Sequence, residues 1–221
     1  MPASILEELD IGGLRAAFLE YTREAYLSIP SIAQPRILDV GCGTGLPTLE
    51  LARLSDGEIV AIDPDQEAID TLRLKIEEQG LSDRVRTINC SIFETGFEPA
   101  SFDIVWEEGV FHLLEAERVL EESARLLKAE GFLAMFETND WIEANRGRFI
   151  KHGFENFRRV ALPSGCWWTR YYLPLEERIA SLGSKYSSPD DRKILARYER
   201  EIESVRADIA RSDCSFVVLR R

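Results

Sequence analysis

The stretch Ile37-Leu38-Asp39-Val40-Gly41-Cys42-Gly43-Thr44-Gly45 decides the fold. Ile37, Leu38 and Val40 read as the end of a buried strand. Three glycines at alternate positions follow. Having no Cβ, they let the backbone turn sharply and come close to a ligand. Leu46-Pro47-Thr48-Leu49-Glu50-Leu51-Ala52 then continues with helical spacing. Strand, glycine turn and helix in this order build a nucleotide-type cofactor site at the carboxyl end of a parallel strand.

The glycine spacing separates cofactors. A dinucleotide fingerprint G-x-G-x-x-G needs a small third residue at position 46, where this chain has Leu46. The phosphate loop G-x-x-x-x-G-K-[ST] needs a Lys after the glycines, and none follows. What remains is an acidic residue followed by G-x-G-x-G. A second apolar strand, Glu58-Ile59-Val60-Ala61-Ile62-Asp63, ends in a carboxylate about 20 residues past the turn, where an acidic group accepts hydrogen bonds from a ribose diol. A third strand, Val85-Arg86-Thr87-Ile88-Asn89, leads to Cys90-Ser91-Ile92, and Phe102-Asp103-Ile104-Val105-Trp106 reads as a fourth.

With Asp39 at its head, the glycine loop resembles motif I of the class I S-adenosylmethionine-dependent methyltransferases. Phe102–Trp106 resembles motif IV of that family, and Leu126–Glu137 the helix, glycine turn and fifth strand that follow. The resemblance covers roughly residues 35–138. It implies S-adenosylmethionine as cofactor and S-adenosylhomocysteine as product. Asp39, Gly41, Cys42, Gly43 and Gly45 would form the cofactor loop, with Asp39 alternatively a helix-dipole partner. Asp63 would grip the ribose hydroxyls and Pro64 touch the adenine face. The family often has Asp where Ser91 stands, so the adenine amino group would fall to Ser91 or to backbone beside Ile92. Where the family has Pro-Gly, this chain has Glu130-Gly131, and Gly131 is expected to make the turn after the helix.

Composition bounds the rest. The 221 residues are 45% hydrophobic and 30% charged, as in a globular chain with a substantial core. Twenty-seven basic against 39 acidic residues leave a net charge of −12, which argues against nucleic acid as partner. Arg158-Arg159 and Arg220-Arg221 read as solvated surface. No apolar run approaches the ~20 residues of a membrane span, and no signal pattern opens the chain, so a cytoplasmic location is expected. Cys42, Cys90, Cys166 and Cys214 are isolated, and only His112 and His152 are present, so neither a disulfide framework nor a metal site is expected. The oligomeric state is not legible.

Strands at 36–40, 58–63, 84–89, 102–106 and 131–138 alternate with helices at 46–54, 65–79 and 115–128, which predicts an α/β fold with βαβ units and a parallel sheet. Residues 154–162 read as a sixth strand and 214–219 as a seventh. The resemblance implies a Rossmann-like, seven-stranded, mostly parallel sheet with helices on both faces and an antiparallel seventh strand. Three parts are expected: residues 1–34 as a helical segment on the active-site rim, 35–160 with 214–221 as the cofactor domain, and 161–213 as a helical, aromatic cap. The cap carries helices at 174–183 and 190–210. The resemblance implies that the sixth strand ends, and the seventh starts, on the cofactor side, which would place the cap over the active site.

A sulfonium methyl transfers by in-line displacement, so positioning the acceptor and excluding water are the main tasks. Trp167, Trp168, Tyr171 and Tyr172 are candidate substrate contacts or the cap's own core, the former because a sulfonium favours aromatic faces. Glu107 and Glu108 follow the fourth strand where donor and acceptor would meet. They are candidates to hold or deprotonate a cationic acceptor, and Glu107 also to contact the cofactor. The family's Asn/Asp-Pro-Pro-Tyr/Phe motif of amide and adenine methylation is missing there. His112 aligns with a histidine frequent in the family, expected to pack between helix and strand, with a general-base role as the alternative. The expected function is methyl transfer to a small-molecule acceptor. A protein side-chain acceptor and a non-catalytic sensor are its rivals.

Overall fold

The computed structural model describes residues 4–221. The chain divides into two compact units, residues 19–161 with 214–221 and residues up to Phe18 with 162–213. Positions 1–3 of the expected N-terminal segment lie outside the described residues.

The larger unit is built on seven strands, β1 (Arg36–Val40), β2 (Glu58–Asp63), β3 (Val85–Asn89), β4 (Phe102–Glu108), β5 (Leu127–Thr138), β6 (Glu155–Ala161) and β7 (Cys214–Arg220), in the order β3-β2-β1-β4-β5-β7-β6. The pairs from β3 through β5 are parallel. β7 runs antiparallel to both β5 and β6. Buried strands such as Ile59-Val60-Ala61-Ile62 are apolar on both faces, as a parallel sheet covered by helices requires. Those helices are α3 (Leu19–Ser28), α4 (Leu46–Leu54), α5 (Gln66–Glu78), α6 (Ala116–Leu126) and α7 (Asn139–Lys151). The core joins Leu38, Val60, Val105, Leu120, Met135 and Val217 across the sheet.

Three local readings change. α7 was not foreseen; Thr138 starts it by accepting the Trp141 N–H, and it buries Ile142, Asn145 and Phe149. β5 begins at Leu127 rather than at 131. Phe102 pairs with Leu127 and Ile104 with Phe132, so residues 128–131 bulge opposite Asp103 alone. Lys128 grips the Asp103 carboxylate there, at 2.8 Å. The left-handed residue of this turn is Glu130, with φ 64°, and not Gly131. Gly131 is needed for close approach, since a Cβ would press on the Lys128 and Asp103 carbonyls.

The smaller unit is helical. α1 (Ile5–Leu9) opens with a Ser4/Glu7 capping box, and Asp10, left-handed at φ 46°, joins it to α2 (Ile11–Ala16). α8 (Leu173–Leu182) and α9 (Pro189–Ala207) follow a wide π-type turn at Trp168–Tyr172. Arg178 on α8 donates to the Leu9 and Asp10 carbonyls, satisfying the end of α1. Ile5, Leu9, Leu14, Leu175, Ile179, Leu195 and Ile202 are buried in this unit. Among the described residues, no helix is long and apolar enough to cross a membrane.

Candidate active site

The carboxyl edge of the sheet gathers most of the residues that the sequence marks. Gly41 and Cys42 donate their N–H groups to the Ile62 carbonyl, at 2.8 and 3.1 Å, so the glycine loop is tied to the end of β2. Gly41 and Gly45 take left-handed φ values of 68° and 87°. A Cβ at Gly41 would overlap the Val110 side chain, and one at Gly45 would overlap Leu72. The loop therefore needs glycine both for its conformation and for the closeness of its neighbours.

Asp63 stands beside it. Its Oδ2 accepts the Gly43 N–H and its Oδ1 the Asp65 N–H, both at 2.8 Å. The carboxylate is thereby oriented but only half-buried, with lone pairs left for a diol. Pro64, next to it, is exposed. Across β3, Ile92 is buried and Ser91 caps a short turn by accepting the Phe93 N–H. The Cys42 side chain is buried, so the loop turns backbone rather than thiol outward; burial, with Asp39 and Asp63 nearby, raises that thiol's pKa.

Asp39 lies beneath the loop, buried, and accepts the Thr48 hydroxyl at 2.5 Å. Burial pushes its carboxyl up to about 7, Thr48 opposing and the charge of Asp63 adding. Thr48, buried in the first turn of α4, was not singled out from the sequence; its position one turn into the helix is the only signal for it.

The β4 carboxylates part company. Glu107 is fully buried: Oε2 accepts the Val110 and Phe111 N–H groups at 3.0 and 3.4 Å, while Oε1 has no partner. Burial and the charge of Glu137 hold its carboxyl well above the usual range. Its visible contacts are with the 110–111 turn that rests on Gly41. Glu108 is half-buried, accepting the Thr22 hydroxyl of α3 and the Trp106 indole N–H, both at 2.9 Å. His112 does not pack between helix and strand. Its side chain is 44% exposed, and Nδ1 lies 2.9 Å from Oε2 of Glu137, a buried carboxylate at the end of β5. Glu137 escaped the sequence reading because only the parallel pairing of β4 and β5 brings it to His112.

In the smaller unit the four aromatics pack on one another. Phe18 stacks on Trp167 at 4.3 Å, and Tyr171 meets Tyr172 edge-on at 4.9 Å. Tyr171 is buried, and Tyr172 donates its hydroxyl to Glu201. Trp168 is half-buried, with Arg206 5.2 Å over its ring. Their role as a shared core is visible within this unit.

Residues 38–135 match the family model described as a methyltransferase domain. A curated relative, 27-O-demethylrifamycin SV methyltransferase of Amycolatopsis mediterranei, is 30% identical over 48% of this chain and 40% of its own. Matches to the curated relatives span well under half of those proteins' lengths. Among solved structures, the [4+2]-cyclase SpnF superposes with a TM-score of 0.78 at 20% identity, covering 91% of this chain and 80% of that one. A putative sarcosine dimethylglycine methyltransferase from Galdieria sulphuraria gives 0.71 at 20% identity, covering 95% and 84%. The glycine loop, the sheet order and the domain match over residues 38–135 make the chain similar to the class I S-adenosylmethionine-dependent methyltransferases, whose Rossmann-like fold it shares.

Proposed function

We propose that the chain transfers the methyl group of S-adenosylmethionine to a small-molecule acceptor. The observation that carries this reading is the glycine loop held against an oriented Asp63 carboxylate. The residues fit the cofactor. Asp63 has acceptor capacity left for the ribose hydroxyls, Pro64 offers an exposed apolar face to adenine beside Ser91 and Ile92, and the Gly41–Gly45 backbone is bare enough to approach the methionine portion. When bound, the cofactor supplies a methyl on a cationic sulfur. Asp39 and Thr48 brace the loop from beneath, and Glu107 braces the turn that meets it. Holding an acceptor in line is worth roughly 7–11 kcal/mol of the barrier.

Residues 161–213 serve as the cap. Supporting this, β6 ends and β7 begins at the carboxyl edge of the sheet, where Ala161 pairs with Ser215 and Cys214 with Thr138. The chain thus leaves and rejoins the larger unit at that edge of the sheet. Half-buried Trp167, Trp168 and Tyr172 are the aromatics proposed for acceptor contact, with buried Tyr171 packed against them. The small-molecule relatives support the acceptor class, 27-O-demethylrifamycin SV methyltransferase among them.

A second reading has one observation in its favour: the likeness to a [4+2]-cyclase shows this fold hosting other chemistry. Incubating the chain with isotopically labelled S-adenosylmethionine and a metabolite extract separates the two. Labelled product by mass spectrometry supports methyl transfer. Tight cofactor binding with no labelled product supports the second reading.

A further inference from the structure

His112, Glu137 and Glu107 form an arrangement that cofactor binding does not require. We propose that Glu137 positions His112 to take the proton of a hydroxyl group, so that the acceptor is an alcohol or phenol and the chain methylates oxygen. The inference rests on the methyl-transfer reading above and names its substrate class.

The geometry begins at the backbone. Glu137, at the end of β5, accepts both the backbone N–H of His112, at 3.0 Å, and a bond from Nδ1 of its ring. Two bonds to one carboxylate fix the ring's position and its face. With Nδ1 donating to Glu137, the neutral ring carries its lone pair on Nε2. Nε2 has no partner among the described residues, and the ring is 44% exposed. The turn that carries it rests on the glycine loop through Val110, which lies against Gly41. A basic nitrogen is therefore held at the edge of the cofactor loop, aimed by a carboxylate that is itself buried.

The surrounding charges leave Glu137 as the group that governs this ring. Glu107, whose carboxyl burial and the charge of Glu137 push well above the usual range, gives its Oε2 to the Val110 and Phe111 N–H groups. Glu108 is committed to Thr22 and Trp106, and Asp39 to Thr48. On α6, Glu115 caps the helix, Glu117 pairs with Lys151 and His152, and Arg118 lies over Phe93. The bond to Glu137 raises the pKa of His112, making it a stronger base.

The base selects among acceptors. An alkylammonium, with a pKa of about 10, loses its proton to water often enough to attack as the free amine, and a thiol ionises near pH 8.5 unaided. A hydroxyl keeps its proton at neutral pH and gains most from a positioned base. As the new O–CH3 bond forms, the S–CH3 bond breaks with its electron pair left on sulfur. The hydroxyl proton passes to Nε2, giving an imidazolium beside Glu137, and is later released to water.

The test needs no identified acceptor. The chain has two histidines, so long-range proton–nitrogen NMR spectra of the full chain, assigned with His112→Gln, resolve the His112 ring. The expected result is an Nδ1–H tautomer titrating above the ordinary value of about 6.5. In Glu137→Gln the midpoint moves down toward that value. An Nε2–H tautomer in the unsubstituted chain, or a midpoint indifferent to Glu137→Gln, overturns the proposal, and the first outcome does not depend on Glu137→Gln folding. In parallel, labelled S-adenosylmethionine is offered with a panel of phenols, alcohols and amines. O-methyl products whose acid limb follows the His112 titration, shifting to lower pH in Glu137→Gln, support it. N-methyl products alone overturn it while leaving methyl transfer standing. Cofactor binding by calorimetry with no product of any class overturns the methyl-transfer reading itself.

Discussion

The carboxyl edge of the sheet and the helical unit of residues 162–213 both hold groups that the sequence singles out, but the two encode them differently. At the sheet edge the requirement falls on the backbone: Gly41 and Gly45 adopt left-handed conformations with neighbours packed where a Cβ would stand. In the helical unit the same residues serve packing and surface together, as with Trp167 stacked on Phe18 and Trp168 half open under Arg206. A backbone requirement tolerates one residue type and is visible as a motif. An aromatic cluster satisfies a core whether or not it meets a ligand.

The largest effect that tests this contrast comes from Gly41→Val. The added side chain collides with Val110 at a φ of 68°, so S-adenosylmethionine binding should fall more than about 100-fold, roughly 2.7 kcal/mol by calorimetry. Near-normal binding would break the contrast, since the loop would then tolerate a side chain.

Asp39→Asn comes next and reads out in stability. The folded pKa, about 7, lies above the unfolded value of about 3.9. The carboxyl's contribution to stability is therefore full below pH 4 and is lost as pH rises toward 7. Removing the charge should raise the melting temperature at pH 8, by on the order of 2–4 kcal/mol of unfolding free energy, with the gain vanishing near pH 4. Cofactor affinity should fall at the same time. A melting temperature at pH 8 equal to or below that of the unsubstituted chain would show that Asp39 carries no such burial cost.

In the helical unit the effects should be smaller and should divide by exposure. Trp168→Ala is expected to raise the acceptor KM severalfold with cofactor affinity unchanged; a loss of cofactor affinity would contradict its placement as an acceptor contact. Tyr172→Phe removes one hydroxyl bond to Glu201 and should cost about 1 kcal/mol in thermal unfolding. A much larger cost would mark that bond as central to the unit's packing.

These differences explain what was legible. β1, α4 and β2 lie where the sequence places them, because glycine, apolar runs and a strand-end Asp are local signals. Asp63 was found by its distance along the chain from the loop. Glu137 was not, because its meaning depends on pairing between β4 and β5 that no local pattern states. Glu107 and Glu108 look alike as neighbours in sequence, but strand alternation sends one into the interior and leaves the other half-exposed. α7 was missed because its buried face includes a polar Asn145 between Ile142 and Phe149, which blurs the apolar period. The turn at Glu130 was assigned to the neighbouring glycine because glycine is the usual left-handed residue.

The central claim is that the glycine loop and Asp63 together hold S-adenosylmethionine. Isothermal titration of S-adenosylmethionine into the unsubstituted chain and into Asp63→Ala tests it most directly. The account predicts a Kd of roughly micromolar order for the former and a loss of at least about tenfold for the latter, about 1.4 kcal/mol. Equal affinity in the two proteins, or no binding to the unsubstituted chain, would contradict it.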